Sequence, residues 1–287
     1  MNPLSKREDA SDITVSSDLH RVRLCVIDVD GTLLDSRHRV SAHTVEAVAQ
    51  ARRRGLQILL ATSRGPKALK PVLAEIPSLT GEVFIGSQGA VRARYGEDGH
   101  LVVISQQQMA AHSAHSLVRI ADDHGIAVSW YFGEHWYVSY VDHTVEREAD
   151  IVGVAPDIRD LFTLVDGPDK LMLVAPDGDP RSLVPVIDAI PPDVRAQVSN
   201  PTYLEITRHD VDKAHAVAQF CADSHIDAAE VLAIGDGPND LGMFAFAGTS
   251  VAPANARPEV CAAADFTTPS NDNDGVANVL NALAHAG

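Results

Sequence analysis

The sequence predicts an α/β fold: a doubly wound parallel sheet interrupted by a second, inserted α/β domain. Three observations predict it. Short apolar runs rich in β-branched residues recur at 23–27, 56–61, 83–85 and 231–234, as strands buried on both faces do. Stretches of helical pattern separate these runs, the alternation expected of a parallel sheet. Between about 107 and 195 the texture changes to helices mixed with hairpin-like pairs, which reads as a domain inside the first.

Taken in order, residues 1–20 are polar, lack an apolar stretch of signal-peptide kind, and read as a disordered tail. The first strand, Arg23-Leu24-Cys25-Val26-Ile27, runs into Asp28-Val29-Asp30-Gly31-Thr32. Ser41 is a good N-cap for a helix that ends in Arg52-Arg53-Arg54-Gly55, cations and a glycine being what a helix C-terminus favours. A second strand over 56–61 ends in Thr62-Ser63-Arg64-Gly65-Pro66 and leads to a helix expected near 71–76. The third strand, around 83–85, is followed by a hairpin with strands at 91–95 and 101–105.

In the inserted region a helix over 109–123 stops at His124-Gly125. Strands at 126–132 and 135–141 flank Gly133-Glu134, a two-residue loop suited to a type II′ turn. That turn sets Trp130 opposite Tyr137 and Tyr131 opposite Trp136. A helix over 145–152, a strand at 170–175, a helix at 181–190 and a strand at 194–199 follow. Strand texture at 203–206, a helix opened by Lys213 and the strand 231–234 read as the return to the first domain. That last strand ends in Gly235-Asp236-Gly237-Pro238-Asn239-Asp240, and further strands and helices complete the alternation.

Composition narrows the partners. The 287 residues are 45% hydrophobic and 22% charged, as in an ordinary globular protein. Thirty-nine acidic residues against 23 basic ones leave a net charge of −16, which repels nucleic acid and anionic membrane surfaces. Cys25, Cys221 and Cys261 are odd in number, widely spaced and set in apolar surroundings. They read as reduced thiols of a cytoplasmic protein, a monomer or small homo-oligomer without membrane or nucleic-acid partners.

The chemistry gathers at the strand ends, where open α/β sheets bind ligands. Asp28 and Asp30 are two apart and emerge on the same side of their strand. Carboxylates so close raise one another's pKa unless a proton or cation lies between them. A bound Mg2+ with one acid as nucleophile and the other as general acid/base is the economical arrangement. Thr62 offers a hydroxyl beside a helix N-terminus, a seat for phosphate. Lys213 opens a helix, where the dipole disfavours a cation, so an anionic partner is implied. Asp236 and Asp240, with Asn239 between them, add a second acidic cluster. These are the parts that phosphoryl transfer through an aspartyl-phosphate requires.

With these motifs assembled, the chain resembles the haloacid dehalogenase superfamily, in its Cof-like, type IIB capped branch. The resemblance rests on Asp28-Val29-Asp30-Gly31-Thr32-Leu33-Leu34, Thr62, Lys213 and Gly235-Asp236-Gly237-Pro238-Asn239-Asp240. It continues through Met243, Asn255-Ala256 and Asp274-Gly275-Val276. It implies a Rossmann-like core over 21–106 and 196–287, with an α/β cap domain over 107–195. It also implies a Mg2+-dependent phosphatase acting on a small phosphorylated metabolite, a sugar phosphate or nucleotide-like cofactor. Asp28 would be the nucleophile and Asp30 the acid/base. Thr62, Ser63, Lys213 and Asn239 would contact phosphate or substrate. Asp28, Asp30 (through its backbone carbonyl) and Asp236 would hold the metal, with Asp240 in support. Ser63, Gln88 and Ala214 depart from the pattern, standing where Gly, Asn and Gly are usual.

Other readings weigh less. A receiver-type module that uses phospho-Asp as a signal needs only about 120 residues and no inserted domain. A catalytically silent phosphometabolite-binding protein would ordinarily have lost Asp28 or Asp30. Arg64 reads as pinning its own loop, and His112 with His115 lacks the further ligands of a metal site. Six of the chain's fourteen aromatics lie within 130–140, so one of the two hairpin pairs is expected to line the substrate cavity.

Overall fold

The computed structural model describes residues 5–6, 19–200 and 202–286. The tail expected over 1–20 lies almost wholly outside the described residues. The chain forms two compact units.

The first unit comprises Met1–Thr62, Val72–Ile85 and Lys213–Gly287. Its strands are β1 (Ser5–Lys6), β2 (Leu24–Ile27), β3 (Gln57–Ala61), β4 (Phe84–Gly86), β13 (Val231–Ile234), β14 (Thr249–Pro253) and β15 (Phe266–Thr268). Their order across the sheet is β1-β15-β14-β13-β2-β3-β4, parallel except for β1 against β15. Every residue of β2 and β13 is buried, as the unbroken apolar runs require. β2 and β13 are neighbours paired Val231 to Leu24 through Ile234 to Ile27, so the chain segments after Ile27 and after Ile234 leave the sheet side by side. The chain continues from β2 to β3 on one side and from β13 to β14 on the other, which makes this the switch point of the sheet.

Helix α1 (Ala42–Arg53) begins where expected: Ser41 accepts the Thr44 N–H as N-cap, and Gly55 takes the left-handed conformation past its end. Helix α2 (Pro66–Ala74) starts five residues earlier than the sequence suggested. Pro66 fills the first helical position that had been assigned to Pro71, which sits inside the helix instead. The later helices are α6 (Lys213–Ser224), α7 (Leu241–Phe246), α8 (Pro258–Ala263) and α9 (Gly275–Ala286). Leu24, Val26, Leu59 and Ala233 pack with Val217 and Cys221 of α6, Met243 and Phe244 of α7, and Val260 of α8 in one core. Cys25 and Cys221 are buried, Cys261 is half-buried, and all three are free thiols.

The second unit comprises Ser63–Pro71 and Gly86–Asp212. It holds the hairpin β5 (Val91–Tyr95) and β6 (Leu101–Gln106), with a bulge between Arg92 and Ala93. Its sheet is built from β7 (Val128–Phe132), β8 (His135–Val138), β9 (Asp157–Ile158), β10 (Lys170–Val174), β11 (Val194–Asn200) and β12 (Tyr203–Arg208), in the order β11-β12-β10-β7-β8-β9. Only the β8–β9 pair is parallel. The β7–β8 turn sets Trp130 opposite Tyr137 and Tyr131 opposite Trp136, as the Gly133-Glu134 loop implied.

The strand alternation sorts this sheet into two faces. Trp130, Leu171, Leu173, Leu204 and Ile206 pack with Leu117 and Val118 of α3 (Ala111–Asp123) and Val186 of α5 (Val184–Ile187). Tyr131, Trp136, Val138 and Met172 pack on the other face with Val145 and Val152 of α4 (His143–Val152) and with Ala68 of α2.

The insertion was expected to end at 195, yet the second unit extends to Asp212. β11 and β12 form an antiparallel hairpin that joins β10, so 203–206, taken as the return to the first sheet, belongs to the antiparallel one. The apolar pattern of a buried strand is the same in either sheet, and only the pairing partner decides. The segments 63–71 and 86–106 likewise group with the second unit rather than the first.

Candidate active site

All the polar groups singled out at strand ends lie in the first unit except Ser63. Asp28 directly follows β2, and its N–H donates to the Ile234 carbonyl of neighbouring β13 at 3.0 Å. Residues Val29–Leu33 form a wide turn closed by i→i+5 hydrogen bonds, Leu33 N–H to Asp28 and Leu34 N–H to Val29. Gly31 makes it possible: its φ is +81°, and a Cβ there would lie 2.4 Å from the Asp236 carboxylate. Asn255 donates its side-chain N–H to the Gly31 carbonyl at 2.7 Å and accepts the Asn271 N–H at 2.9 Å. Asn271 in turn donates to the Leu34 carbonyl at 2.8 Å. The loop is thus held from outside in one shape.

Lys213 is at the centre. Its ammonium donates to Asp28 Oδ1 at 2.5 Å and to Asp240 Oδ1 at 2.8 Å, and all three side chains are buried. Asp240 is fixed in turn by the N–H groups of Asp236 and Gly237, each 3.0 Å from its Oδ2. Gly235 permits the approach, since a Cβ at that position would meet the Asp240 side chain at 2.4 Å. Thr32 donates its hydroxyl to Asp236 Oδ1 at 2.9 Å. Carboxylate oxygens of Asp28, Asp236 and Asp240 all lie within 4.8 Å of one another.

The electrostatics follow from that crowding. Burial and the Asp240 charge push Asp28 well above the ordinary carboxylate range, against the pull of Lys213. Burial and Asp240 likewise raise Asp236, partly offset by the Thr32 hydroxyl. Burial would lower Lys213, but Asp240 and Asp28 override it and hold the ammonium charged. One ammonium cannot balance three acids, so the cluster retains uncompensated negative charge when all are ionised. A purely oxygen donor set with that excess charge suits a hard divalent cation such as Mg2+.

Thr62 ends β3, is fully buried, and donates its N–H to the Ile85 carbonyl at 2.9 Å. Asp30 lies on the wide turn and Asn239 in the turn Pro238–Asp240, both partly exposed. The carboxylate group gathers Asp240 beside Asp28 and Asp236, while the ligand expected from Asp30 is its backbone carbonyl rather than a carboxylate. Ser63 falls in the second unit, its carbonyl accepting from Lys170 at 2.7 Å. Arg64 is buried and reaches the Ala68 carbonyl at 3.4 Å, pinning its own loop. His115 bonds the Leu161 carbonyl at 3.1 Å and stacks on Trp130, an ordinary structural role. Reasoning from sequence missed the work of Thr32, Asn255 and Asn271. None of the three leaves a local signal, because their bonds to Asp236, Gly31 and Leu34 each span more than 200 residues of chain.

The family profile of the haloacid dehalogenase-like hydrolases matches residues 25–280. YxeH of Bacillus subtilis (strain 168) is 31% identical over 281 residues, spanning 92% of this chain and 99% of its own. The 5-amino-6-(5-phospho-D-ribitylamino)uracil phosphatase YcsE of the same organism is 26% identical, over 90% of this chain and 94% of its own. The crystal structure of a haloacid dehalogenase-like hydrolase from Bacteroides thetaiotaomicron superimposes with a TM-score of 0.81 at 27% identity, covering 91% of this chain and 98% of that one.

Proposed function

The chain belongs to the haloacid dehalogenase-like hydrolases and is a phosphatase among them, and from that premise we propose that it hydrolyses a small phosphorylated metabolite through a phosphoryl group carried on Asp28. The observation that carries the reading is the Lys213 ammonium held between Asp28 and Asp240, with Asp236 in the same cluster. A lysine so placed neutralises an incoming phosphoryl group while leaving a carboxylate oxygen of Asp28 for attack.

Each residue then has a task. A carboxylate oxygen of Asp28 forms a bond to phosphorus as the bond to the leaving oxygen breaks, and Asp30 gives that oxygen its proton. Water next attacks phosphorus, its proton passes to Asp30, the Asp28–phosphorus bond breaks, and inorganic phosphate is freed. Lys213 and Thr62 hold the equatorial oxygens, and Asn239 orients the group from the opposite turn. Asp240 keeps Lys213 in place and is itself locked by the Asp236 and Gly237 N–H groups. Mg2+ held by the carboxylates of Asp28 and Asp236 and the carbonyl of Asp30 would offset the charge of the phosphoryl group.

Apart from Asp30 at the leaving oxygen, these groups address only the phosphoryl group and the cation, so the rest of the leaving group is chosen elsewhere. A sugar phosphate or a nucleotide-like cofactor remains the class that best fits, the latter in keeping with the ribityl phosphate substrate named for YcsE. Release of phosphate from p-nitrophenyl phosphate with Mg2+, followed by a panel of phosphorylated metabolites, tests the reading. Turnover that survives excess chelator, or no turnover of any phosphomonoester, would overturn it.

A further inference from the structure

Resting on that reading of Thr62 as a phosphate seat, we propose that Lys170 is a positioning residue for it, acting through the Ser63 carbonyl. Lys170 is buried in the sheet of the second unit and has three partners there. Its ammonium donates to the Ser63 carbonyl at 2.7 Å and to Glu205 Oε2 at 2.8 Å, and it lies 4.8 Å from the centre of the Tyr131 ring. Glu205 is equally buried, so the pair sits in low dielectric and its geometry is tightly set.

The segment after Thr62 is fastened carbonyl by carbonyl. Ser63 accepts from Lys170, Arg64 accepts the Ser87 N–H at 2.8 Å, and Pro66 accepts the Tyr95 hydroxyl at 2.9 Å. Gly65 lies so near the Tyr131 ring that a Cβ would come within 3.3 Å of it. Of these three bonds, the one to Ser63 comes from a charged donor, and charge-assisted bonds are the shorter and stronger kind. Ser63 is also the residue joined directly to Thr62. The Thr62 N–H is fixed to Ile85, so the chain is tied at the peptide before Thr62 and again, at the Ser63 carbonyl, one residue beyond it. The apolar core of this face, with Tyr131, Trp136, Val138 and Met172, has no need of an ammonium for packing. An ion pair there costs desolvation and is explained by the carbonyl it holds.

The test is a double-mutant cycle on the binding of inorganic phosphate in the presence of Mg2+, measured by calorimetry. Lys170→Met is combined with Glu205→Leu, because removing both charges spares the fold the stranded carboxylate that either change alone would leave. That pair is expected to weaken phosphate roughly tenfold, and Thr62→Val alone to weaken it at least as much. All three changes together should bind no more weakly than Thr62→Val. Losses that multiply would mean that Lys170 does not act through Thr62, and unchanged binding in the pair variant would remove its role altogether. Lys170→Arg, which keeps a cationic donor beside Glu205, should recover most of the affinity, and a loss as deep as the pair variant's would overturn the assignment. A wild-type protein that binds no phosphate would instead contradict the proposed function, a result distinct from either.

Discussion

Two lysines are buried among the described residues, and their surroundings differ in one respect that separates chemistry from architecture. Lys170 meets one carboxylate, Glu205, and one backbone carbonyl, so its charge is balanced within the second unit. Lys213 meets Asp28 and Asp240 with Asp236 beside them, so its unit holds more negative charge than the ammonium can offset. Burial without balance is expensive, and folded proteins retain it where a ligand supplies the missing charge. The balanced pair holds a loop; the unbalanced cluster carries the excess negative charge that the cation of the proposed reaction would offset.

The largest effect that could break this contrast is on catalysis. Asp28→Asn removes the attacking oxygen at nearly constant size, and steady-state turnover should fall by at least roughly a thousandfold. A variant within tenfold of wild type would show that the cluster is not the reacting centre.

The next comparison sets matched double replacements against each other. Lys213→Met with Asp240→Leu should abolish turnover while the protein stays folded, whereas Lys170→Met with Glu205→Leu should leave measurable turnover. Breaking the Lys170–Glu205 pair on one side alone should instead destabilise the fold. Glu205→Ala, which strands a buried ammonium, is expected to cost about 3–5 kcal/mol in chemical denaturation. A loss under about 1 kcal/mol would mean that Lys170 gains water when its partner goes.

A smaller effect concerns Asp169, next to Lys170 in sequence but outside the pair. It is fully buried and accepts the Gly133 N–H at 2.7 Å and the Gln106 side chain at 2.8 Å. Burial pushes its carboxyl up to about 6, only partly opposed by the Gly133 and Gln106 bonds. The folded state therefore keeps a proton between about pH 4 and pH 6 that the unfolded chain has already lost. Stability falls as pH rises through that window, by on the order of 3 kcal/mol once above it. Asp169→Asn keeps an acceptor for Gly133 and removes the ionisation. Its melting temperature relative to wild type should rise between pH 4 and pH 8, and a constant difference would contradict the assignment.

How far the residues announced all this depends on distance along the chain. The Ser41 cap, the Gly133-Glu134 hairpin and the cluster of Asp28, Lys213, Asp236 and Asp240 were legible because strand ends and turns are local signals. The membership of β11 and β12 was not, since an apolar strand does not state its partner. Nor was Pro66 as the start of α2, because Pro71 sits inside the helix, where a proline ordinarily marks a helix start or break. The two aromatic pairs of the hairpin were expected to divide between core and cavity. Trp130, Tyr131 and Trp136 are all buried and Tyr137 is half-buried, so the hairpin's apolar area goes mainly into packing on both faces. The asparagine brace on the Gly31 loop and the hold of Lys170 on Ser63 join residues more than 100 positions apart, and neither leaves a pattern in sequence.

The central claim is that Asp28 carries the phosphoryl group. Rapid quenching during turnover of p-nitrophenyl phosphate, borohydride reduction and peptide mass spectrometry test it directly, because an acyl phosphate is reduced to the alcohol and a free carboxylate is not. The account predicts homoserine in place of Asp28 and at no other acidic residue, and none when substrate is left out. An unmodified Asp28 in enzyme that is turning over, or homoserine at Asp30 or Asp236 instead, would contradict it.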